Sequence, residues 1–384
     1  MTDTLQETSS PSRAAATRPP RVVLACDWLL KYAAGLAQGL REAGADVALL
    51  TRDHGLEFGG DPEEMRAGLR ARIGDDAPLW LLSGRIRDVS ALRQLARIRS
   101  EIRAFGSDVT HFQQATMVDP RLFLAAAKRP GRYAVTLHDP SVHPGDEHPS
   151  KMFFALERIL FTGAGVTFTH GQALVDAIHE NKPWLRGPIE VVPHGTDMPR
   201  PVPLPEVPTL LFFGRISYYK GLDVLLDAMP RVWESVPSTR LVIAGFGPIP
   251  PSDVLGDPRV QVRNEHVPEA DVPGLYTGAT AVVLPYRQAS QSGVGSLAKS
   301  YGRASVVTDE GGLPELVADG SGIVVPSEDA GALADALVEV LSEPARARAM
   351  GEAAAASAAS EFSWAAVGRK TLEAYRRHGL LPQV

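Results

Sequence analysis

The residues best suited to chemistry in this 384-residue chain gather in its second half. In FFGRISYYKGLDVLLDA, Arg215 follows an apolar run, and Lys220 stands just before Gly221 and a helix-patterned segment. Two cations in a glycine-bounded loop at a helix N-terminus suit a diphosphate, because the unpaired amides and the helix dipole add to their charge. The plain alternative is a pair of solvated loop charges. Further on, in VVLPYRQASQSGVGSLAKSYG, Ser290, Gln291 and Ser292 precede Gly293, Val294 and Gly295, ahead of a short helix, SLAKSYG. A serine N-cap and the exposed amides of a first turn can hold an oxyanion. A simple capped helix ending at Gly302 carries the same signature. Gly245 and Gly247, in LVIAGFGP, either admit a ligand to the backbone or only make a turn. From Gln288 to Gly302 there is no Asp or Glu.

The first half offers two further constellations. LHDPSVHPGDEHPSKMFF crowds His138, Asp139, His143, Asp146, Glu147 and His148 into one region. The residue types admit a metal, yet the spacing matches no standard ligand pattern, so no metal site is expected. The proline and glycine content reads instead as a loop at the mouth of a cleft. In CDWLLKYAAG, Trp28 and Tyr32 can stack on a ring and Lys31 can meet an anion, which makes the three candidates for an acceptor site. Packing of the loop explains Trp28 equally well. Cys26, at the end of an apolar run, reads as a small buried hydrophobe rather than a nucleophile.

Something must hold these loops together, and the pattern around them says what. Near-continuous apolar runs (RVVLAC, DVALLT, PLWLL, SDVTHF, YAVTLH, GVTFTH, IEVVPH) alternate with helix-sized segments. Such runs indicate strands buried on both faces, as in a parallel sheet. The alternation stops at MPRPVPLPEVP, whose five prolines mark a linker. It resumes with TLLFFG, RLVIAG, RVQVR, TAVVLP, ASVVTD and SGIVV. The expected layout is a tail over residues 1–20, a Rossmann-like unit over 21–198, a linker over 199–208, a second Rossmann-like unit over 209–361, and a C-terminal helix over about 362–384. The region from Pro344 onward reads as helical throughout. Two doubly wound α/β units face one another across a central cleft, and ligands of such sheets bind beyond the carboxyl ends of the strands.

Composition narrows the partners. A hydrophobic fraction of 44% and a charged fraction of 22% describe an ordinary globular chain able to bury a large core. A formal charge of −6 gives no electrostatic reason for nucleic acid. The single cysteine fits a reducing compartment, no apolar run reaches membrane-spanning length, and the first twenty residues lack a signal core, so a cytoplasmic location is expected. DVSALRQLARIRSEIRAF is a basic amphipathic helix of the kind that docks on anionic lipid. Residues 21–198 nevertheless hold 21 basic and 22 acidic side chains, which argues against peripheral membrane contact.

Taken in order, the segments FFGRISYYKGLDVLLDA, LVIAGFGP, VPEADVPGLYTGATAVVLP, GRASVVTDEGGLPELVADGSGIVV and FSWAAVGRKTLEAY resemble the retaining glycosyltransferases of family four, which have the GT-B fold. GLAQGLREAGADVALLT, TLHD and VPHGTDM match more loosely in the first half. The resemblance implies a nucleotide-diphosphate sugar donor, of UDP or GDP type, with no separate cofactor and no metal. It assigns the diphosphate to Arg215, Lys220 and the amides of Ser292, Gly293 and Val294, and the transferred sugar to His138. Ser290 and Gln291 stand by the donor sugar and ribose. Asp139 is the candidate base toward an acceptor hydroxyl, a task the leaving phosphate can take over in a retaining reaction. The last helix is expected to cross back to the first unit. The chain departs from the family where a Glu, seven residues and a second Glu are usual: those positions are Ala289 and Leu297. A small-molecule or glycan acceptor is implied, with surface polysaccharide and specialised-metabolite pathways both open. A catalytically silent accessory protein on the same fold is the alternative.

Overall fold

The computed structural model describes residues 18–53, 56–58, 60–84, 88–113, 119–141 and 151–383. Most of the expected tail, residues 1–17, lies outside them. Arg18, at its end, forks onto Asp108 at 2.7 and 2.8 Å.

The first half runs β1 (Arg21–Ala25), α1 (Leu30–Glu42), β2 (Asp46–Arg52), α2 (Pro62–Ile73), β3 (Leu79–Leu82), α3 (Val89–Phe105), β4 (Val109–Phe112), α4 (Pro120–Ala126), β5 (Tyr133–Thr136), α5 (Lys151–Thr162), β6 (Val166–Thr169), α6 (Gln172–Asn181) and β7 (Ile189–Val191). Its strands form one parallel sheet in the order β3-β2-β1-β4-β5-β6-β7. The second half runs β8 (Thr209–Phe213), α7 (Leu222–Ser235), β9 (Arg240–Gly245), β10 (Val260–Asn264), α8 (Val272–Thr277), β11 (Ala281–Leu284), α9 (Gly293–Ser300), β12 (Ala304–Thr308), α10 (Leu313–Val317), β13 (Gly322–Val325), α11 (Ala330–Ser342), α12 (Pro344–Ala359) and α13 (Trp364–Arg377). Its parallel sheet has the order β10-β9-β8-β11-β12-β13. These are two doubly wound α/β units. In each, the winding reverses beside the first strand, between β1 and β4 and between β8 and β11, which opens a crevice at the carboxyl ends.

The strands form where the sequence is dominated by apolar and β-branched residues. Every residue of β4, β5, β6 and β11 is buried. Two helices of the first half begin at aspartate caps: Asp61 accepts the amides of Glu63 and Glu64 ahead of Pro62, and Asp119 accepts the amide of Arg121 ahead of Pro120.

Two details differ from the sequence reading. The tract from Pro344 is not helical throughout, because it breaks at Ser360–Ser363 between α12 and α13. There Ser363 caps α13, accepting the amide of Ala366 at 3.2 Å, and pairs with Thr196 of the first half. The break turns α13 onto α1. Gly39 and Gly368 permit this crossing: a Cβ on Gly368 would stand 2.1 Å from the Gly39 carbonyl, and one on Gly39 would stand 1.9 Å from that of Trp364. In addition, α9 begins at Gly293 rather than at Ser296, so the glycines lie inside its first turn.

A cleft floored by histidines and a helix N-terminus

The C-terminal wall of the cleft is built from three loops. Ser292 caps α9 through Oγ, which accepts the Gly295 amide at 3.2 Å, while its carbonyl begins the helix at Ser296. The amides of Gly293 and Val294 have no intrahelical partner, as in any first turn. Val294 reaches the Gly214–Arg215 loop: a Cβ on Gly214 would lie 3.3 Å from its Cγ2. Gly221, with φ of 65°, turns the chain into α7 where a side chain would stand 1.9 Å from the Pro285 carbonyl. That turn leaves the Lys220 ammonium 3.8 Å above the centre of the Tyr286 ring, and the Tyr286 hydroxyl is 3.4 Å from Ser292 Oγ. Lys220, Tyr286 and the start of α9 therefore form one wall. Burial lowers the Lys220 pKa; Tyr219 and Asp139 raise it and Arg215 lowers it further. Arg215 is exposed and donates to the Tyr219 hydroxyl at 3.3 Å.

The N-terminal wall is a group of imidazoles at strand ends. His170, after β6, has Nδ1 3.0 Å from the Val192 carbonyl, which can only accept, so Nδ1 carries the proton. Burial holds its pKa down at about 4, so the ring is neutral and its Nε2 accepts. His138, after β5, meets that Nε2 through Nδ1 at 2.8 Å, and must donate. Its own Nε2 is then a lone pair, buried and without a partner among the described residues. Burial, followed by the fields of His170, His194 and His111, holds His138 well below the usual histidine pKa. His194 is likewise held down, to about 3, mainly by burial. It stands over the other wall, with Cε1 3.7 Å from the position of a Cβ on Gly293.

Tyr32 fills the space between these rings, 4.7 Å from His138, 4.9 Å from His194 and 5.3 Å from Trp364 between ring centres. It is 6% exposed, so it floors the cleft more than it lines an open surface. Lys31 forms an ion pair across the cleft with Glu269 and lies 5.2 Å over the Phe58 ring. Trp28 is half-buried, and Leu29 beside it adopts φ of 62°, a left-handed turn unusual for leucine. Glu57 accepts the amides of Leu30 and Lys31 and so fills the N-terminus of α1 with a carboxylate. Asp139 is half-buried and lies within electrostatic reach of both Lys220 and His170. Cys26 is buried, and burial pushes its thiol pKa far up, which fits a packing role.

Other polar groups here carry no partner among the described residues: both side-chain amide atoms of Gln113, after β4, and Oε1 of Gln288 and of Gln291. Gln288 Nε2 crosses the cleft to Ser141 Oγ at 3.0 Å. Ser290 is buried, and its carbonyl accepts the Gly312 amide at 3.2 Å. Ala289 and Leu297 are half-buried and pack with the apolar cluster behind α9. Among the described residues no group of three or more His, Cys, Asp or Glu is arranged to hold a metal ion. His143, Asp146, Glu147 and His148 lie outside the described residues. The sequence reading missed His170, His194, Gln113 and Gln288; the signal available was their position just past apolar runs.

Two facing Rossmann-like units with the site between them define the GT-B class. Residues 29–195 match the glycosyl transferase 4-like domain, and residues 207–343 match the glycosyl transferases group 1 family. The two matches divide the chain as its two Rossmann-like units do, the 4-like domain on the first and the group 1 domain on the second. It is 28% identical over 380 residues to a glycogen synthase of Mycobacterium tuberculosis, covering 88% of each chain. It is 32% identical over 226 residues to a D-inositol 3-phosphate glycosyltransferase of Segniliparus rotundus, covering 53% of this chain and 50% of that one. Its fold resembles that of Anabaena HepE, solved in complex with UDP and glucose: the TM-score is 0.67 at 15% identity, over 93% of this chain and 100% of that one.

Proposed function

We propose that the chain transfers a sugar from a nucleoside diphosphate donor, of UDP or GDP type, to a hydroxyl acceptor, with retention and without a metal. The observation that carries this reading is the shared wall of Lys220, Tyr286 and Ser292, where a cation meets a helix N-terminus whose first amides have no intrahelical partner. As the bond from the anomeric carbon to the diphosphate oxygen breaks, charge builds on that oxygen. Fixed donors there stabilise the transition state, each by about 10²–10³ in rate. Arg215, Lys220 and the amides of Gly293 and Val294 are those donors, and cations in this role replace a metal. The acceptor oxygen bonds to the anomeric carbon, and its proton passes to the departing diphosphate or to Asp139.

His138 Nε2 accepts a hydroxyl of the transferred sugar. Gln288 and Gln291 offer neutral carbonyl acceptors near the positions that Ala289 and Leu297 leave without a carboxylate, with Ser290 beside them. Trp28 and Tyr32 face the acceptor side, while Lys31 ties the two domains through Glu269. Relatives named as sugar transferases, and HepE with UDP bound, support this reading. The missing carboxylates favour one other reading, a silent accessory protein on the same fold.

A thermal-shift panel of UDP, GDP, ADP and dTDP separates these. Stabilisation by one nucleotide, with release or transfer of sugar from its sugar conjugate in the presence of EDTA, is the expected result. No shift with any nucleotide would sink the donor site; a shift without any turnover leaves the accessory protein. Proton NMR of the anomeric signal in the product tests retention.

A further inference from the structure

The even charge count of the first unit conceals a local segregation. Eleven large apolar side chains are exposed among the described residues, and five of them (Leu92, Leu124, Phe154, Leu156 and Ile159) lie on α3, α4 and α5. These helices cover one face of the first sheet, opposite α1, α2 and α13. Between α4 and α5 runs a cavity of about 340 Å³ walled by Phe123, Leu124, Phe153, Leu156, Ile159 and Leu160. Glu157, the charged residue on its wall, is buried and neutralised by Lys182 at 3.0 Å. Such a wall has nothing to hold a sugar or a nucleotide.

Beside this groove lies the basic helix. Gln94 donates to the Leu81 carbonyl and Phe105 meets the edge of Trp80, so that flank of α3 faces β3. At about 100° per residue, Leu92, Arg99 and Arg103 fall on the opposite flank, toward α4. Arg93, Arg97, Arg99 and Arg103 are all exposed, and the one acid of α3 is Glu101, 3.8 Å from Arg97. Neither α4 nor α5 adds an exposed carboxylate: Glu157 is spent on Lys182, and Asp119 at the α4 cap is held by Arg121.

We infer that the α3–α5 face docks the chain on an anionic membrane surface. Apolar side chains enter the boundary between headgroups and acyl chains, and a neighbouring row of guanidiniums pairs with lipid phosphates. A second copy of the chain fits worse, since a two-fold contact would set the arginine rows of both copies together without carboxylates to pair them. Because α4 and α5 begin at the strand ends that form the cleft, docking brings the cleft mouth to the lipid surface. The inference is independent of the donor chemistry.

The test is flotation of the full chain with vesicles of pure phosphatidylcholine and of phosphatidylcholine with 30% phosphatidylglycerol. Binding to the anionic vesicles alone, weakening as salt rises, is expected. Arg99→Gln with Arg103→Gln should weaken it about 25-fold, at about fivefold per charge near the surface. Leu156→Ser with Ile159→Ser should weaken it at least tenfold, with circular dichroism melts confirming that each variant folds. Absence of binding by the unaltered chain, or binding indifferent to both pairs, overturns the inference. Sedimentation that shows a dimer dispersed by Leu156→Ser with Ile159→Ser, and no vesicle binding, assigns the face to a second copy instead.

Discussion

His170 Nε2 stands 2.8 Å from His138 Nδ1, and Val192 behind them sets the direction of that bond. The carbonyl fixes the His170 tautomer, His170 fixes that of His138, and the Nε2 lone pair of His138 is left buried without a partner among the described residues. His170→Gln keeps an acceptor for His138 and should retain most activity. His170→Leu removes it and should lower kcat about tenfold or more with little change in UDP affinity. Steady-state kinetics beside UDP titration of both variants make the comparison.

The wall proposed to hold the diphosphate carries its own expectation. Arg215→Ala and Lys220→Ala should each abolish the UDP- or GDP-induced thermal shift and lower kcat/KM by about 10²–10³. A variant that retains both the shift and the rate removes that residue from the site.

The two domains meet at α6. Gly171 offers no side chain to cap that helix, and Glu315 of the other domain accepts the amides of Gln172 and Ala173 at 2.9 and 2.7 Å. Glu315→Ala should cost about 0.5–1 kcal/mol of stability, the usual loss for a cap. It should also raise the donor KM, because the two walls of the cleft lose a tie between them. Chemical denaturation and kinetics measure the two effects.

The buried imidazoles make stability depend on pH. His170, His194 and His111 are neutral in the folded chain, with pKa values held down, chiefly by burial, to about 4, 3 and 3, against an ordinary 6.5. The unfolded chain takes up protons first, so this stability is complete above pH 6.5 and is lost as pH falls toward 4. Each histidine contributes a slope of up to about 1.4 kcal/mol per pH unit in that window. Urea denaturation at pH 7.5 and 5 should show the loss, and His194→Gln should flatten it.

The crossing of α13 over α1 gives a structural test. Gly368→Ala puts a methyl group where the Gly39 carbonyl stands 2.1 Å away, so the helices must separate. Overpacking of this kind costs about 1–3 kcal/mol, readable in the urea midpoint, with activity falling in step.

The two doubly wound units and their strands were legible in the sequence, because burial on both faces of a parallel sheet favours near-continuous apolar runs. Arg215, Lys220 and the start of α9 were legible for a related reason: loop cations and glycines at helix starts are local features. His170, His194, Gln113 and Gln288 were not. Each is an isolated polar residue past a strand, and only the winding of the two sheets brings such residues to one cleft. Charge shows the same division. Residues 21–198 are nearly balanced as a count, yet the fold sets Arg99 and Arg103 of α3 on the same face as the exposed apolar side chains of α4 and α5. Sequence alone determined which segments bury and which loops join a strand end to a helix start, since both depend on neighbours in the chain. Tertiary structure decided the imidazole relay, the Glu315 cap and the segregated face, since each depends on groups that are distant in sequence and meet only when the sheets pack.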